Sequence, residues 1–206
     1  MYDHGVNDAK ASRVTGFVLA GGKSTRMGSD KAFLEFGDET LLSRALKQVS
    51  AVAPEVKIVG QAEKFGSFGV TVEDLYPERG PLGGIHGALT STSTELNLML
   101  AVDMPFVEAT FLEYLIAQAR ESGAVVTVPR AGGGFQPLCA IYRREFAAVA
   151  EESLREGRNK INPLFERVAT RVIEESELGR AGFSPEMFRN LNTPQDFEES
   201  RGIRFS

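Results

Sequence analysis

The segment from Val14 to Lys31 constrains the fold of this chain more than any other. It begins with an apolar run rich in strand-forming residues, and this run breaks into two glycines, Gly21 and Gly22. A loop with basic and hydroxyl side chains follows, and a second apolar segment begins after Lys31. This order predicts a β-strand that opens into a phosphate-cradling loop.

The two best-known glycine loops do not fit this segment. A P-loop that ended in its Gly-Lys-Ser tripeptide would need a glycine where the chain has Phe17. A dinucleotide-binding loop that started at Gly21 would need glycines in place of Lys23 and Arg26. What remains is a Gly-Gly loop with two cations, Arg26 and Lys31. Such a loop suits a triphosphate, because glycine admits the ligand to the backbone and arginine binds phosphate oxygens bidentately. A glycine-rich turn with ordinary surface cations is the alternative.

Composition indicates one globular domain. The chain has 206 residues, of which 42% are hydrophobic, and we expect a disordered tail at 1–13 and a folded domain at 14–206. The net charge of −5 argues against an extended nucleic-acid surface, and no apolar run approaches the ~20 residues of a membrane span. The single cysteine, Cys139, excludes an intrachain disulfide and agrees with a cytoplasmic location. We expect it to be a core residue, and we expect structural or surface roles for His4 and His86.

Strand-like and helix-like segments alternate along the chain. Strands are predicted near 14–19, 56–59, 70–73, 96–102, 124–128, 135–142 and 170–174, and helices near 41–52, 82–91, 110–121 and 145–155. This alternation predicts an α/β fold with a single-domain, doubly wound, mostly parallel sheet. Ligands of such sheets lie beyond the carboxyl ends of the strands. The Gly21-Gly22 loop, Asp74 and Asp103 each follow a predicted strand, so we expect them to open onto one cleft.

Asp103 is the candidate metal ligand. It follows a strand predicted to be buried on both faces, and Met104-Pro105 then turns the chain away. A carboxylate in a cleft that also holds Arg26 and Lys31 is suited to binding Mg²⁺ on phosphate oxygens. An ordinary turn or helix-capping aspartate is the other interpretation of this position.

Five motifs, taken together, resemble those of the molybdenum cofactor guanylyltransferases. They are LAGGKSTRMGSDK at 19–31, GPLGGI at 80–85, DMPF at 103–106, QPLCAIY at 136–142 and NLNTP at 190–194. The match runs in order from about Val14 to Phe197. Many nucleotidyltransferases share the first motif, whereas the set of five is specific. The resemblance implies a Rossmann-like nucleotidyltransferase domain.

The resemblance also implies a reaction. GMP would be transferred from GTP to the terminal phosphate of molybdopterin or Mo-molybdopterin, with release of pyrophosphate and with Mg²⁺ as the cofactor. Because that phosphate is itself a nucleophile, the reaction needs no serine or cysteine nucleophile and no strong base. Other proteins of cofactor biosynthesis, or molybdoenzymes that accept the product, are the implied protein partners.

The resemblance also implies roles for individual residues at the matching positions. The nucleotide would be bound by backbone groups of Leu19, Ala20, Gly21 and Gly22 and by the side chains of Lys31, Asp74 and Asp103. Asp103 would also bind the metal, and Arg26, Lys31 and Asp103 would be catalytic. The acceptor would be bound by Gln136, Arg158, Asn190 and Asn192.

One position departs from the family pattern, and three other functions compete. Where relatives often carry asparagine after the second strand, this chain has Gly60. A CTP-dependent molybdopterin cytidylyltransferase is the nearest alternative, although such enzymes tend to have alanine in place of Gly21. A sugar-phosphate nucleotidyltransferase and a non-catalytic, nucleotide-binding protein for cofactor handover are the others.

Overall fold

The central element of the molecule is a mixed β-sheet with helices on both faces. The structure, a computed structural model, describes residues 13–21, 30–191 and 196. The strands in this part of the chain are β1 (Val14–Leu19), β2 (Glu35–Phe36), β3 (Glu39–Thr40), β4 (Glu55–Val59), β5 (Thr71–Val72), β6 (Leu96–Ala101), β7 (Val126–Ala131), β8 (Gly134–Phe135), β9 (Cys139–Arg143) and β10 (Thr170–Ile173). The α-helices are α1 (Leu41–Ser50), α2 (Ala62–Phe65), α3 (Pro81–Thr90), α4 (Ala109–Ser122), α5 (Phe146–Arg155) and α6 (Glu175–Arg180), and 3₁₀ turns cover Lys31–Phe33, Asn162–Arg167 and Pro185–Phe188. No helix among these described residues has both the length and the apolar character needed to cross a bilayer.

The sheet has the strand order β10-β7-β9-β6-β1-β4-β5, with β8 attached to β7, and β2 and β3 form a separate hairpin. β1 pairs in parallel with β4 and β6, and β4 with β5. β9 is antiparallel to both β6 and β7, so those two strands point the same way, and β10 is parallel to β7. The carboxyl ends of β1, β4, β5, β6, β7 and β10 therefore meet at one edge. The predicted α/β fold with a mostly parallel sheet is confirmed.

One predicted strand is divided in two. The sequence predicts a single strand over 135–142, whereas β8 ends at Phe135 and β9 begins at Cys139. The Gln136 N–H donates to the carbonyl of Pro129, and the Cys139 N–H donates to the carbonyl of Gln136. The bond between Cys139 and Gln136 closes a turn, and this turn separates β8 from β9. The alternation of apolar residues predicts the strand but does not reveal this turn.

β1 lies at the centre because both of its faces are covered. Side chains of β1 alternate between two apolar clusters: Val18 packs with α1 and α4 on one face, and Phe17 packs with α3 and α5 on the other. Gly16 has no side chain, and this lets α1 approach the strand closely. A Cβ atom at this position would lie only 2.1 Å from Cγ1 of Val49 and 3.2 Å from Cβ of Ala53.

We expect Gly16→Ala to destabilise the fold. Val49 is fully buried, so it cannot swing into solvent, and overpacking of this kind costs about 1–3 kcal/mol. Gly134→Ala is the matched control, because a Cβ there meets no atom of the described residues within 4 Å. Equilibrium unfolding in urea gives the free energy of unfolding of both variants. Equal stabilities would show that Val49 does not pack against Gly16.

Candidate functional site

The end of β1 forms the floor of the site. Leu19 is aligned with Val59 of β4 and with Ala101 of β6, so these three strands end at one level. The N–H groups of Ala20 and Gly21 both donate to the carbonyl of Val59, at 3.0 and 2.9 Å. Because these two donors are used within the fold, Ala20 and Gly21 can offer a ligand only their carbonyl oxygens.

Lys31 and Asp103 contact each other at the same edge of the sheet. Their side chains form an ion pair of 2.9 Å between Nζ and Oδ2, although 72 residues separate them in the chain. Lys31 begins the 3₁₀ turn that Asp30 caps, and Asp103 follows β6. The two side chains keep 14% and 23% of their surface exposed. The structure thus brings together the predicted phosphate-binding cation and the predicted metal ligand.

The segment that carries Lys31 is anchored on α2 and the residues after it. Asp30 forms an ion pair of 3.1 Å with Lys64, and the ring of Phe33 stacks on Phe65 at 5.7 Å. Phe33 also contacts Phe68. These contacts position Lys31 relative to the end of β4. The predicted site residues Gly22, Arg26 and Asn192 lie outside the described residues.

Asp74 lies against the first turn of α3. Its Oδ1 accepts a hydrogen bond of 2.7 Å from the N–H of Tyr76. A Cβ atom at Gly83 would lie 2.5 Å from both carboxylate oxygens, and one at Gly87 would lie 2.8 Å from the carbonyl of Glu73. Glycine is therefore needed at position 87 for α3 to approach the end of β5, whereas a side chain at position 83 would push the Asp74 carboxylate aside. Burial raises the pKa of Asp74, and the Tyr76 N–H and His86 oppose this effect.

His86, a residue of α3, packs against the loop that follows Asp74. Only 3% of its surface is exposed, and its ring packs edge-on against Tyr76 at 5.2 Å. The Tyr76 hydroxyl donates in turn to Oε1 of Glu151 on α5, at 3.4 Å. Burial lowers the pKa of His86, and the charges of Glu151 and Asp74 oppose this effect. Among the described residues, His86 joins no group of three His, Cys, Asp or Glu side chains that could hold a metal.

Gly60, the departure from the family pattern, is explained by a neighbouring ring. A Cβ atom at this position would lie 2.6 Å from two carbons of the Phe65 ring. Phe65 is 1% exposed, so it fills the space into which a side chain at position 60 would project. Asparagine at Gly60 would require this ring to move.

The described residues among those predicted to bind the acceptor, Gln136, Arg158 and Asn190, do not all lie in one place. Gln136 lines a surface cavity of about 380 Å³, and its Nε2 donates to the carbonyl of Ala131 at 3.1 Å. Asn190 is exposed and precedes Leu191, whose N–H donates to the carbonyl of Asp103 at 3.0 Å. Arg158 is exposed, pairs with Glu156 and is not part of that cavity.

Arg158 instead lies near the loop between Asp74 and α3. A Cβ atom at the preceding residue, Gly157, would be 3.6 Å from Nη1 of Arg79 in that loop. The structure therefore separates Arg158 from Gln136, and an interaction of Arg158 with the acceptor stays a prediction.

Sequence reasoning missed three charged residues of the cavity, Glu175, Glu186 and Arg189. All three follow β10, and the parallel pairing of β10 with β7 brings this part of the chain to the end of β7, where Gly132 and Gln136 lie. The one available signal was the position of Arg189, which directly precedes the NLNTP motif.

Comparisons with known proteins agree with this geometry. The family model of the MobA-like NTP transferase domain matches residues 16–172. A probable molybdenum cofactor guanylyltransferase of Pelotomaculum thermopropionicum is 37% identical over 191 residues, which cover 92% of each protein. A molybdenum cofactor guanylyltransferase of Syntrophotalea carbinolica is 34% identical over 188 residues, or 89% of each protein.

A solved structure extends the likeness to three dimensions. The crystal structure of molybdopterin-guanine dinucleotide biosynthesis protein A from Archaeoglobus fulgidus superposes with a TM-score of 0.79 at 28% identity. The superposition covers 90% of this chain and 96% of that one. The family match spans most of the chain, and both relatives exceed 30% identity over nearly their whole length. This chain therefore belongs to the family of MobA-like NTP transferases.

Proposed function

We propose that this protein transfers GMP from GTP to the terminal phosphate of molybdopterin or its molybdenum-bearing form, and releases pyrophosphate. Residues 14–206 would form the nucleotidyltransferase domain. The observation that carries the proposal is the Lys31–Asp103 pair at the carboxyl edge of the central strands. The relatives named molybdenum cofactor guanylyltransferases support the choice of substrates.

The guanine nucleoside would be held mainly by acceptor groups. The guanine base carries hydrogen-bond donors at N1 and at the 2-amino group, and the carbonyl oxygens of Ala20 and Gly21 are suited to accept from them. The Asp74 carboxylate supplies a further acceptor at the end of β5. Among the described residues, a Cβ at Gly21 would make only ordinary contacts of 3.5 Å or more, so their packing does not demand glycine there. We infer that this glycine leaves room for the ligand, which supports GTP over CTP.

The triphosphate would lie over the glycine loop and Lys31. Arg26 would add a second cation from the loop. Asp103 would hold a divalent cation, Mg²⁺, and its partly exposed carboxylate fits this role. Mg²⁺ is commonly bound by one or two protein carboxylates together with substrate phosphates, so the lack of a larger acidic cluster among the described residues is no obstacle. When bound, the cation neutralises charge on the phosphate oxygens.

The reaction joins two anions, and the site's own residues would bring them together. An oxygen of the acceptor phosphate attacks the α-phosphorus of GTP, and the bond from that phosphorus to the bridging oxygen of pyrophosphate breaks. Lys31 would exchange its contact with Asp103 for a phosphate oxygen, and this exchange frees the carboxylate. No protein nucleophile is needed, and Cys139 is fully buried, which raises the pKa of its thiol.

Turnover of each ribonucleoside triphosphate tests the proposal. With Mg²⁺ and molybdopterin, we expect pyrophosphate release with GTP alone. Asp103→Asn should lower kcat by about 10²–10³-fold, the loss typical of a group that stabilises transition-state charge. Asp38→Asn, an exposed aspartate in the turn between β2 and β3, is the matched control and should leave kcat unchanged. Release with CTP would favour a cytidylyltransferase, and tight GTP binding without turnover would favour a handover protein.

The raised pKa of Asp74 predicts a pH effect on GTP binding. Since donors of the nucleoside need the ionised carboxylate, the KM for GTP should rise as the pH falls through this raised pKa. Asp74→Asn should have a higher KM at neutral pH, and its KM should approach that of the wild type in acid. Protonation of GTP itself affects both proteins equally and cancels in the ratio of the two KM values. A ratio that stays constant with pH would contradict the role of Asp74.

A further inference from the structure

His86 is a buried residue whose presence packing alone does not explain. Only 3% of its surface is exposed, and its Nδ1 atom is enclosed without a hydrogen-bond partner among the described residues. A buried polar atom without a partner lowers the stability of the fold, and an apolar side chain at this position would avoid that loss. Proteins break such a rule mainly at functional sites, so His86 is a candidate for a role beyond packing.

The place of His86 on α3 is crowded. It lies three residues after Gly83 and one before Gly87, on the face of the helix that is turned towards Asp74. A Cβ atom at Gly83 would lie 2.5 Å from the Asp74 carboxylate, and one at Gly87 would lie 2.8 Å from the carbonyl of Glu73. Imidazole is the smallest aromatic ring that a side chain supplies. A position between two such close approaches therefore suits a small, flat ring.

The ring of His86 contacts Tyr76, and Tyr76 contacts Asp74. The two rings lie edge to face, with their centroids 5.2 Å apart and their planes at 75°. The Tyr76 N–H donates to Oδ1 of Asp74 at 2.7 Å, and the Tyr76 hydroxyl donates to Oε1 of Glu151 at 3.4 Å. Edge-to-face pairs prefer a defined geometry, which an aliphatic contact does not impose. His86 and Glu151 together fix the orientation of Tyr76.

Tyr76 anchors the loop between β5 and α3. Leu75 and residues 77–80 are exposed, whereas Tyr76 is half-buried and reaches both α3 and α5. Within the same loop Glu78 has a φ of 68°. A positive φ is unfavourable for a residue with a side chain, so other contacts have to offset it. The conformation of the loop, and with it the place of Asp74, depends on how Tyr76 is held.

Charge also couples His86 to Asp74. Burial lowers the pKa of His86, Glu151 and Asp74 raise it, and Arg155 lowers it. The interaction is mutual, because burial raises the pKa of Asp74 while the Tyr76 N–H and His86 oppose that rise. His86 and Asp74 therefore interact through Tyr76 and directly through their charges.

We propose that His86 is a positioning residue for the nucleotide: its ring orients Tyr76, whose N–H holds the Asp74 carboxylate where the donors of the nucleoside reach it. This inference rests on the proposed function, because it takes Asp74 as a group that binds the nucleoside. His86 acts through Tyr76 and does not contact the nucleotide. It affects how tightly GTP is bound, whereas Lys31 and Asp103, and hence the chemical step, are left unchanged.

His86→Leu removes the ring at nearly constant volume. We expect the Kd and the KM for GTP to rise about 3- to 10-fold, the range that follows from the loss of an edge-to-face aromatic pair, while kcat stays within twofold. In an Asp74→Ala background the same substitution should not raise the Kd further, because residues that act through one group are not additive. A purely structural role of His86 would raise the Kd equally in both backgrounds.

Thr127→Val is the matched control. Thr127 in β7 also has a buried side-chain oxygen without a hydrogen-bond partner among the described residues, so this change likewise replaces a buried polar atom by an apolar one. The Kd for GTP should remain that of the wild type. Unfolding in urea shows whether each variant is folded, and His86→Asn, which keeps a small, flat side chain without an aromatic ring, replaces His86→Leu if that variant does not fold.

Calorimetric titration with GTP in the absence of molybdopterin gives the Kd without any need for turnover. An unchanged Kd in the His86 variant, an equal rise in the Asp74→Ala background or an equal rise in Thr127→Val would overturn the inference, even if the wild type turns over GTP. If the wild type shows the expected dependence on Asp74 but releases no pyrophosphate with any nucleotide, the proposed reaction fails and the inference stands. Failure of the wild type to bind GTP would overturn both.

Discussion

Parallel pairing of β1 with β4 on one side and β6 on the other is the constraint on which the rest of the structure depends. Such a strand must be covered on both faces, and the apolar clusters on either side of the sheet meet this requirement. Parallel strands also end at one edge, where their backbone groups and the residues that follow are open to a ligand. The polar residues of the site lie at this edge because both faces of the sheet are covered by apolar side chains.

Two kinds of interaction position the charged residues at this edge: an ion pair between Lys31 and Asp103, and close packing around Asp74. The Lys31–Asp103 pair keeps a cation and a carboxylate together without an isolated, partly buried charge, so each stays available for an exchange of partners. Asp74 is positioned by close packing instead. Gly87 lets the backbone of α3 lie against the carbonyl of Glu73, and Gly83 of the GPLGGI motif lets it lie against the Asp74 carboxylate.

The sequence predicted the half of the site that is built from contiguous motifs. Gly21, Asp74 and Asp103 each lie two residues after a strand, so the periodicity of apolar residues was enough to place them at one edge. Lys31 instead lies twelve residues after β1 and meets the edge through its ion pair with Asp103. Glu175 was not predictable in this way, because its carboxylate is fixed by the N–H of Gly132, which comes from a turn 43 residues earlier. Long-range pairing of β10 with β7 creates that contact, and no local pattern encodes it.

Gly60 shows how such long-range packing changes what a single motif position means. Within the resemblance it looked like a missing asparagine, yet the Phe65 ring occupies the space of the missing side chain. Phe65 also stacks on Phe33, two residues after Lys31, so the same ring helps to position Lys31. An asparagine at position 60 would displace the ring and disturb that anchor. In the proposed complex, backbone carbonyls and Asp74 would bind the nucleoside, and Gly60 would keep the Phe65 ring, and with it the anchor of Lys31, in place.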